Sequence, residues 1–294
     1  MQARLCTRDG DHADGLSVHI GALGHDMTQE IRGPAGSGQT SPGTDGTSSA
    51  IELSEVRHYF GDLLVLDGID LSVPSRSRVS FVGPSGCGKS TLLLMIAGLL
   101  NPQGGTITVG EAAEPSRRLR RCALMPQQDL LLPWRTALDN ACLALENRGV
   151  SRSAARKQAQ PLFDHFGLAS FEQSYPSQLS GGMRQRVSFL RTLMADKAVF
   201  LLDEPFGALD AISRAAMQEW LLSAMAEVPK TIMLVTHDVE EALLLANTVV
   251  VFSSRPARIL DVIDVKLPAR ENRLEAVSDP EFVALKHRAL GAIR

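Results

Sequence analysis

The chain has 294 residues, room for one large domain or two small ones, and its 44% apolar content is enough to build a sizeable core. A net charge of −3 and an aromatic content of 5% supply neither the cationic footprint nor the stacking platform with which proteins hold nucleic acid, so no nucleic-acid partner is expected. The four cysteines, Cys6, Cys87, Cys122 and Cys142, form no CxxC pair, which argues against a zinc site or a disulfide framework and fits a reducing cytosol.

Residues 1–50 differ in texture from everything after them. Gly33–Ala50 is rich in Gly, Ser, Thr and Pro and carries no large apolar side chain, so it cannot bury enough surface to offset its ordering entropy; a disordered tail is predicted. His12, His19 and His25 are read as solvated tail residues, because no helix or strand fixes them as ligands. Arg4, Arg8, Asp9, Asp11 and His12 interrupt any signal-peptide core. The longest aliphatic run, Leu92–Ala97, is far short of the roughly 18–20 residues of a membrane span, so a chain acting at a membrane would be held there by another subunit.

From Ile51 onward, strands alternate with helices. IELSEVRHYF and VLDGIDLSV carry partly alternating apolar residues and read as half-buried strands; RVSFVG is a short buried strand leading into a glycine turn and the helical run STLLLMIAGLL. TITV follows Gly104 and Gly105 as another strand. Thr136 to about Phe171 reads as wholly helical, with a cap at Ser151 or Ser153. AVFLLD and TIMLVT are strands that each precede helical sequence, TVVVF is a further strand, and ARILDVIDVKL forms one or two edge strands. SDPEFVALKHRAL closes as a helix, capped by Ser278 or Asp279 with Pro280 in its first turn. This order predicts an α/β fold, a parallel sheet wrapped by helices with an all-helical insert.

The chemistry concentrates in three places. Gly83–Thr91, GPSGCGKST, matches the phosphate-binding pattern G-x-x-x-x-G-K-[ST]. Gly83, Gly86 and Gly88 let the backbone curl so that the N–H groups of Gly83, Pro84, Ser85, Gly86, Cys87, Gly88, Lys89, Ser90 and Thr91 (proline excepted) surround an anion; Lys89 addresses the β- and γ-phosphates and the Ser90 hydroxyl addresses Mg²⁺. VFLLDE places Asp203 and Glu204 at the carboxyl end of a strand, where ligands of such sheets collect: Asp203 for the Mg²⁺ shell, Glu204 as general base for a water. His237 ends the next strand and is a candidate to position water at the γ-phosphate.

LSGGMRQRV, Leu179–Val187, taken with these motifs and with GALD, resembles the signature of the ABC ATPase family, and the order and spacing agree over roughly residues 51–252. The resemblance implies a P-loop NTPase of ABC ATPase type, with a mainly parallel core sheet, an antiparallel β subdomain and a helical subdomain. It divides the chain into an ATPase domain at 51–265, a helical insert at about 128–190 and a C-terminal helical extension at 266–294. It further implies that two copies pair head to tail, with Ser180, Gly181 and Gly182 of one sealing ATP held by the other. Phe60 resembles the aromatic that stacks on adenine, with Tyr59 the competing candidate; Gln127 resembles the glutamine linking Mg²⁺ and water to the membrane-domain contact; Asp210 resembles the aspartate that communicates across the dimer. Two positions depart from the family pattern: Met183 replaces the usual glutamine and Gly207 the usual serine.

PQQDLLLPWRTALDN and RPARIL resemble the nitrate/sulfonate/taurine importer group, whose relatives include carriers of pyrimidine precursors of thiamine. The cofactors implied are ATP and Mg²⁺. The partners implied are a second cassette, transmembrane permease subunits docking at Leu130–Trp134 and, indirectly, an extracytoplasmic solute-binding protein. The location implied is the cytoplasmic face of the cell membrane, as a peripheral subunit. The alternatives are the ATPase of an exporter or a non-transport ABC ATPase.

Overall fold

In the computed structural model, which describes residues 49–227, 230–266 and 273–293, apolar alternation is what pairs the first strands. β1 (Ser49–Phe60) buries Ile51, Leu53 and Val56 on one face and pairs antiparallel with β2 (Leu63–Pro74), which buries Val65, Leu66, Ile69 and Val73. β3 (Arg78–Val82) then starts the central sheet, and the glycine turn after it opens α1 (Lys89–Ala97). β4 (Gly104–Val109) returns to pair with β1, setting Ile107 opposite Leu53 and completing a three-stranded sheet β2-β1-β4.

α2 (Pro115–Arg121) and β5 (Cys122–Met125) come next; neither is expected from the sequence reading. The helical insert holds α3 (Ala137–Asn147), α4 (Arg152–His165), a single 3-10 turn at Pro176–Gln178 and α5 (Gly181–Leu193). β6 (Val199–Asp203), α6 (Ala211–Glu227), β7 (Thr231–Val235), α7 (Val239–Leu245), β8 (Thr248–Phe252) and β9 (Ile259–Asp264) follow, then α8 (Arg273–Ser278) and α9 (Pro280–Ile293). The second sheet is six-stranded, order β5-β6-β7-β3-β8-β9, parallel except for β9. Its inner strands β6 and β7 are buried at every residue, which is why they read as unbroken apolar runs. The fold is the expected α/β class.

Several boundaries differ from the sequence reading. Ser49 and Ala50, assigned to the tail, belong to β1, because the Ala50 carbonyl accepts from Gly110 N–H at 2.7 Å and Ser49 pairs with Pro74; residues 1–48 lie outside those described. Helix is not continuous from Thr136 to Phe171. It breaks at Gly149, and Ser151 rather than Ser153 caps α4 by accepting from Ala154 N–H. The insert's last helix runs past residue 190 to Leu193, because Val187, Phe189 and Leu190 keep packing on β5 and β6. At the C-terminus Asp279 is the cap of α9, accepting from Glu281 N–H at 2.8 Å, while Ser278 ends α8.

The C-terminal helix is part of the core rather than an appendage. Phe282 and Ala289 are fully buried against Val249, Val251 and Ile263 of the sheet. Removing a buried phenylalanine side chain typically costs about 3–5 kcal/mol. Phe282→Ala is therefore expected to lower the unfolding free energy by an amount within that range, read as a lower denaturant midpoint at an unchanged slope of the transition.

Candidate nucleotide site

The phosphate loop is shaped by what surrounds it. A Cβ on Gly83 would sit 2.8 Å from the Phe252 carbonyl oxygen. A Cβ on Gly88, whose φ is +127°, would sit 2.9 Å from both Val65 and Leu66 of β2. The loop is thus pressed between the end of β8 and the antiparallel sheet, and only glycine fits. Behind it, the Lys89 ammonium donates to the Gly83 and Pro84 carbonyls at 2.8 and 2.9 Å, with Cys87 Sγ at 3.8 Å. Cys87 is buried and faces the loop's interior.

In front of the loop lies a cleft of about 310 Å³ lined by Ser85, Gly86, Gly88, Lys89, Ser90 and Thr91 together with Phe60, Val65, Gln127, Glu204, Val235 and Arg255. Gly83, Pro84 and Cys87 do not line it; they form the back of the turn. Phe60 stands 54% exposed at one side, set edge-on to His58 with ring centroids 4.7 Å apart. Tyr59 is exposed too but does not line the cleft, so between the two candidates the placement favours Phe60.

The two carboxylates divide as their positions dictate. Asp203 closes β6, is buried, and accepts from the Ser90 hydroxyl at 3.0 Å; burial pushes its carboxyl up from the ordinary value. Glu204 leaves the strand with φ +47°, a left-handed conformation rare for such a residue, stabilised by its N–H donating to Val235 O at 2.9 Å. Gln127 Nε2 donates to Glu204 Oε2 at 3.1 Å, and His237 Nδ1 lies 3.3 Å from Glu204 Oε1. One carboxylate is held at both oxygens by two residues from other strand ends.

Ser90, Asp203 and Gln127 present a hydroxyl, a carboxylate and a carboxamide, the hard oxygen donors that suit Mg²⁺, and a cation there would relieve the desolvated charge of Asp203. Among the described residues no cluster of three His, Cys, Asp or Glu side chains could hold a metal by itself, so phosphate oxygens and water would complete the shell.

Residues 66–207 match the family described as ABC transporter. A taurine import ATP-binding protein of Yersinia pestis is 40% identical over 232 residues, 78% of this chain and 91% of that protein. The chain belongs to the ABC transporter family. An aliphatic sulfonates import ATP-binding protein of Rhodococcus jostii is 46% identical over 207 residues (70% of this chain, 80% of that one), and a putative ATP-binding protein of Brucella abortus is 41% identical over 244 residues (83% and 93%). Among solved structures, the ATP-binding cassette MJ0796, as a post-hydrolysis dimer bound to ADP and Pi, aligns with TM-score 0.67 and 26% identity, covering 74% of this chain and all of that one. The fold is therefore that of an ABC ATPase cassette.

The family's remaining motif residues stand outside the cleft. Ser180 is the N-cap of α5, its hydroxyl accepting from Met183 N–H at 3.2 Å, so the first N–H groups of the helix, at Gly181 and Gly182, form an anion-ready end. Met183, the departure from the family's glutamine, contributes its backbone to that cap and packs its side chain on the insert's core. A Cβ on Gly182 would come within 3.2 Å of Leu209, so the signature turn lies against the GALD loop. Asp210 caps α6, accepting from the N–H groups of Ile212 and Ser213 at 3.1 and 3.0 Å. A Cβ on Gly207 would meet nothing nearer than the Glu204 carbonyl oxygen at 3.5 Å, so room for a side chain exists there, and nothing in the structure explains the change from serine.

The Leu130–Trp134 loop is fixed by the signature helix. Arg191 donates to the Asp129 and Leu130 carbonyls, each at 2.7 Å, and Arg184 Nε meets Asp129 Oδ2 at 2.9 Å. Buried Asn140 accepts from Leu132 N–H at 2.7 Å and donates back to its carbonyl. Leu131 is buried, but Leu130 and Trp134 are left 59% and 72% exposed.

Sequence reading missed Val65 and Arg255 as cleft residues, since nothing in a half-buried strand or in RPARIL marks them as near the loop. It also missed Glu241 of α7, buried beneath the His237 turn, where Gln218 Nε2 donates to its Oε2 at 3.2 Å. Burial raises the Glu241 carboxyl to about 7. Because folding raises this group above its unfolded value, it favours the folded state at acid pH and that contribution is lost as pH rises through about 7. Glu241→Gln is expected to gain stability relative to the parent as pH rises from the ordinary carboxyl value of 4.5 to about 7 and to hold that gain above it, read from denaturant melts at the two ends of that window. A second measurement tests Phe60 as a stacking residue: Phe60→Ala should weaken ATP binding by about 1–3 kcal/mol, the worth of one stacked base, in a fluorescent-nucleotide titration.

Proposed function

We propose that this cassette hydrolyses ATP to drive import of a small anion of the sulfonate or taurine class, acting as a head-to-tail dimer beneath permease subunits at the cytoplasmic face of the membrane. The observation that carries the hydrolytic reading is the bracketing of Glu204, with Gln127 on one oxygen and His237 near the other, at the mouth of a phosphate loop.

The Lys89 ammonium, now satisfied by two backbone carbonyls, meets stronger acceptors when phosphate oxygens arrive. Mg²⁺, when bound by Ser90, Asp203 and Gln127, neutralises charge on the β- and γ-phosphates. Glu204 takes a proton from the attacking water as its oxygen bonds to the γ-phosphorus and the bond to the β-phosphate oxygen breaks; ADP and inorganic phosphate result. His237 orients Glu204 and the γ-phosphate. Ser180 and the helix end behind it, contributed by the second copy, complete the charge stabilisation. The exposed pair Leu130 and Trp134, on a loop braced by α5 and leading back to Gln127, supports docking of a permease there. The import direction and the solute class rest on the likeness to importers of taurine and aliphatic sulfonates, and an extracytoplasmic binding protein would deliver the solute.

Among the described residues no helix is long and apolar enough to cross a membrane, in keeping with a peripheral position. Loss of a general base typically costs about 10²- to 10⁴-fold in rate. Glu204→Gln is expected to keep ATP affinity, to lose turnover by at least that factor and to accumulate an ATP-bound dimer on size exclusion. Parental turnover in the variant would exclude Glu204 as the base. Reconstitution with the permease and binding protein in vesicles, followed by taurine and alkanesulfonate uptake, tests the solute class.

A further inference from the structure

Arg255 is a cation at the cleft that none of the roles above uses. It sits in the turn between β8 and β9, and that turn is held to the antiparallel sheet. Ala257 N–H donates to Val65 O at 2.8 Å, Asp67 N–H donates to Ala257 O at 3.1 Å, and Ser253 N–H donates to Arg258 O at 3.0 Å. The Ser253 hydroxyl, at 3.0 Å from Pro256 O, also accepts from Arg258 N–H at 2.9 Å. The two arginines of the turn have opposite situations. Arg258 is neutralised by Asp67, with Nε 3.0 Å from the carboxylate. Arg255 is exposed and has neither a carboxylate nor a hydrogen-bond partner among the described residues, although it lines the cleft with Lys89, Ser90 and Phe60. It reaches the phosphate loop at Gly86, where Nη2 lies 4.0 Å from the position a Cβ would take.

A fixed turn, an unpaired guanidinium and a shared cleft wall meet at one point. Guanidinium is planar, permanently charged and suited to bidentate contact with phosphate. We propose that Arg255 is a nucleotide-binding residue, contacting the phosphate chain of ATP and of ADP from the lip of the cleft across Gly86. The proposal rests on the nucleotide-binding reading and adds to it the first residue of RPARIL, a segment to which sequence reading assigned no role at the nucleotide. The turn spans both subdomains, so the contact also ties bound phosphate to the strand that backs Gly88.

The test uses the full chain and its Arg255→Ala and Arg255→Lys variants, with melting curves alongside. Because Arg255 is exposed and unpaired, both variants are expected to melt like the parent; Arg255→Lys provides a folded comparison should the alanine variant fail. Titration with a fluorescent ATP and ADP should show about tenfold weaker binding for Arg255→Ala, the size of one charge-assisted contact, and an intermediate loss for Arg255→Lys. Adenosine, measured by displacement, should bind all three alike. The KM for ATP should rise by the same factor with kcat unchanged, and the salt dependence of binding should flatten in the alanine variant. Parental affinity for both nucleotides in Arg255→Ala overturns the proposal. So does an equal loss for adenosine, which would make Arg255 a base-stacking residue. So does unchanged nucleotide affinity with loss of the dimer trapped by Glu204→Gln, which would assign Arg255 to the partner surface. Failure of the parent itself to bind ATP would instead refute the underlying nucleotide reading.

Discussion

The parallel pairing of β3 with β7 on one side and β8 on the other is the constraint on which the rest depends. It brings four strand ends together in register: Phe81 beside Val235, Val82 beside Val251, and, one strand further, Asp203 beside Val235. The groups assigned to nucleotide chemistry on the central sheet leave from those ends, with Gln127 added from the end of the neighbouring β5. The phosphate loop follows β3, the two carboxylates close and follow β6, His237 follows β7, and the turn carrying Arg255 follows β8. Parallel strands all point their carboxyl ends to one edge, so a slip of one residue in any pair would disperse the set.

The antiparallel sheet supplies the other wall. Its strand β2 presses Val65 and Leu66 against Gly88 while β1 delivers Phe60 to the cleft, so the aromatic wall and the phosphate loop are separate pieces that meet at a glycine. The helical insert stands apart from the cleft and meets it through the segment from Gln127 to Trp134, which Arg184, Arg191 and Asn140 fasten to α5 and α3. A displacement of that segment would be felt at Glu204, whose carboxylate Gln127 holds.

The catalytic strands were legible because full burial leaves unbroken apolar runs and because glycine spacing records where a backbone must curl. Phe60, Gln127, Ser180 and Asp210 were legible only through family likeness, since a lone aromatic or glutamine carries no chemical signature. What escaped was decided by tertiary contact. α2 is PSRRLRR, a charged helix with no apolar stripe; its Arg118 is buried, donating to the carbonyls of Met95 and Ile107, an inversion of the usual patterning that no periodicity reveals. β5 has only four residues and is defined by its neighbour β6. Arg255 sits far beyond the phosphate loop in sequence and reaches it only because β8 lies next to β3.

The approach of Gly182 to Leu209 joins two loops that the proposed head-to-tail dimer would set to serve different nucleotides. In that proposed dimer, the Ser180 turn would touch the neighbour's ATP, while the segment through Leu209 follows directly from a protomer's own Glu204. With no side chain at Gly182 to hold them apart, a shift of one turn would press directly on the other. Departure of phosphate from one chamber would thereby tug on the lid of the other, so the two chambers would fire in alternation or in concert and not as strangers.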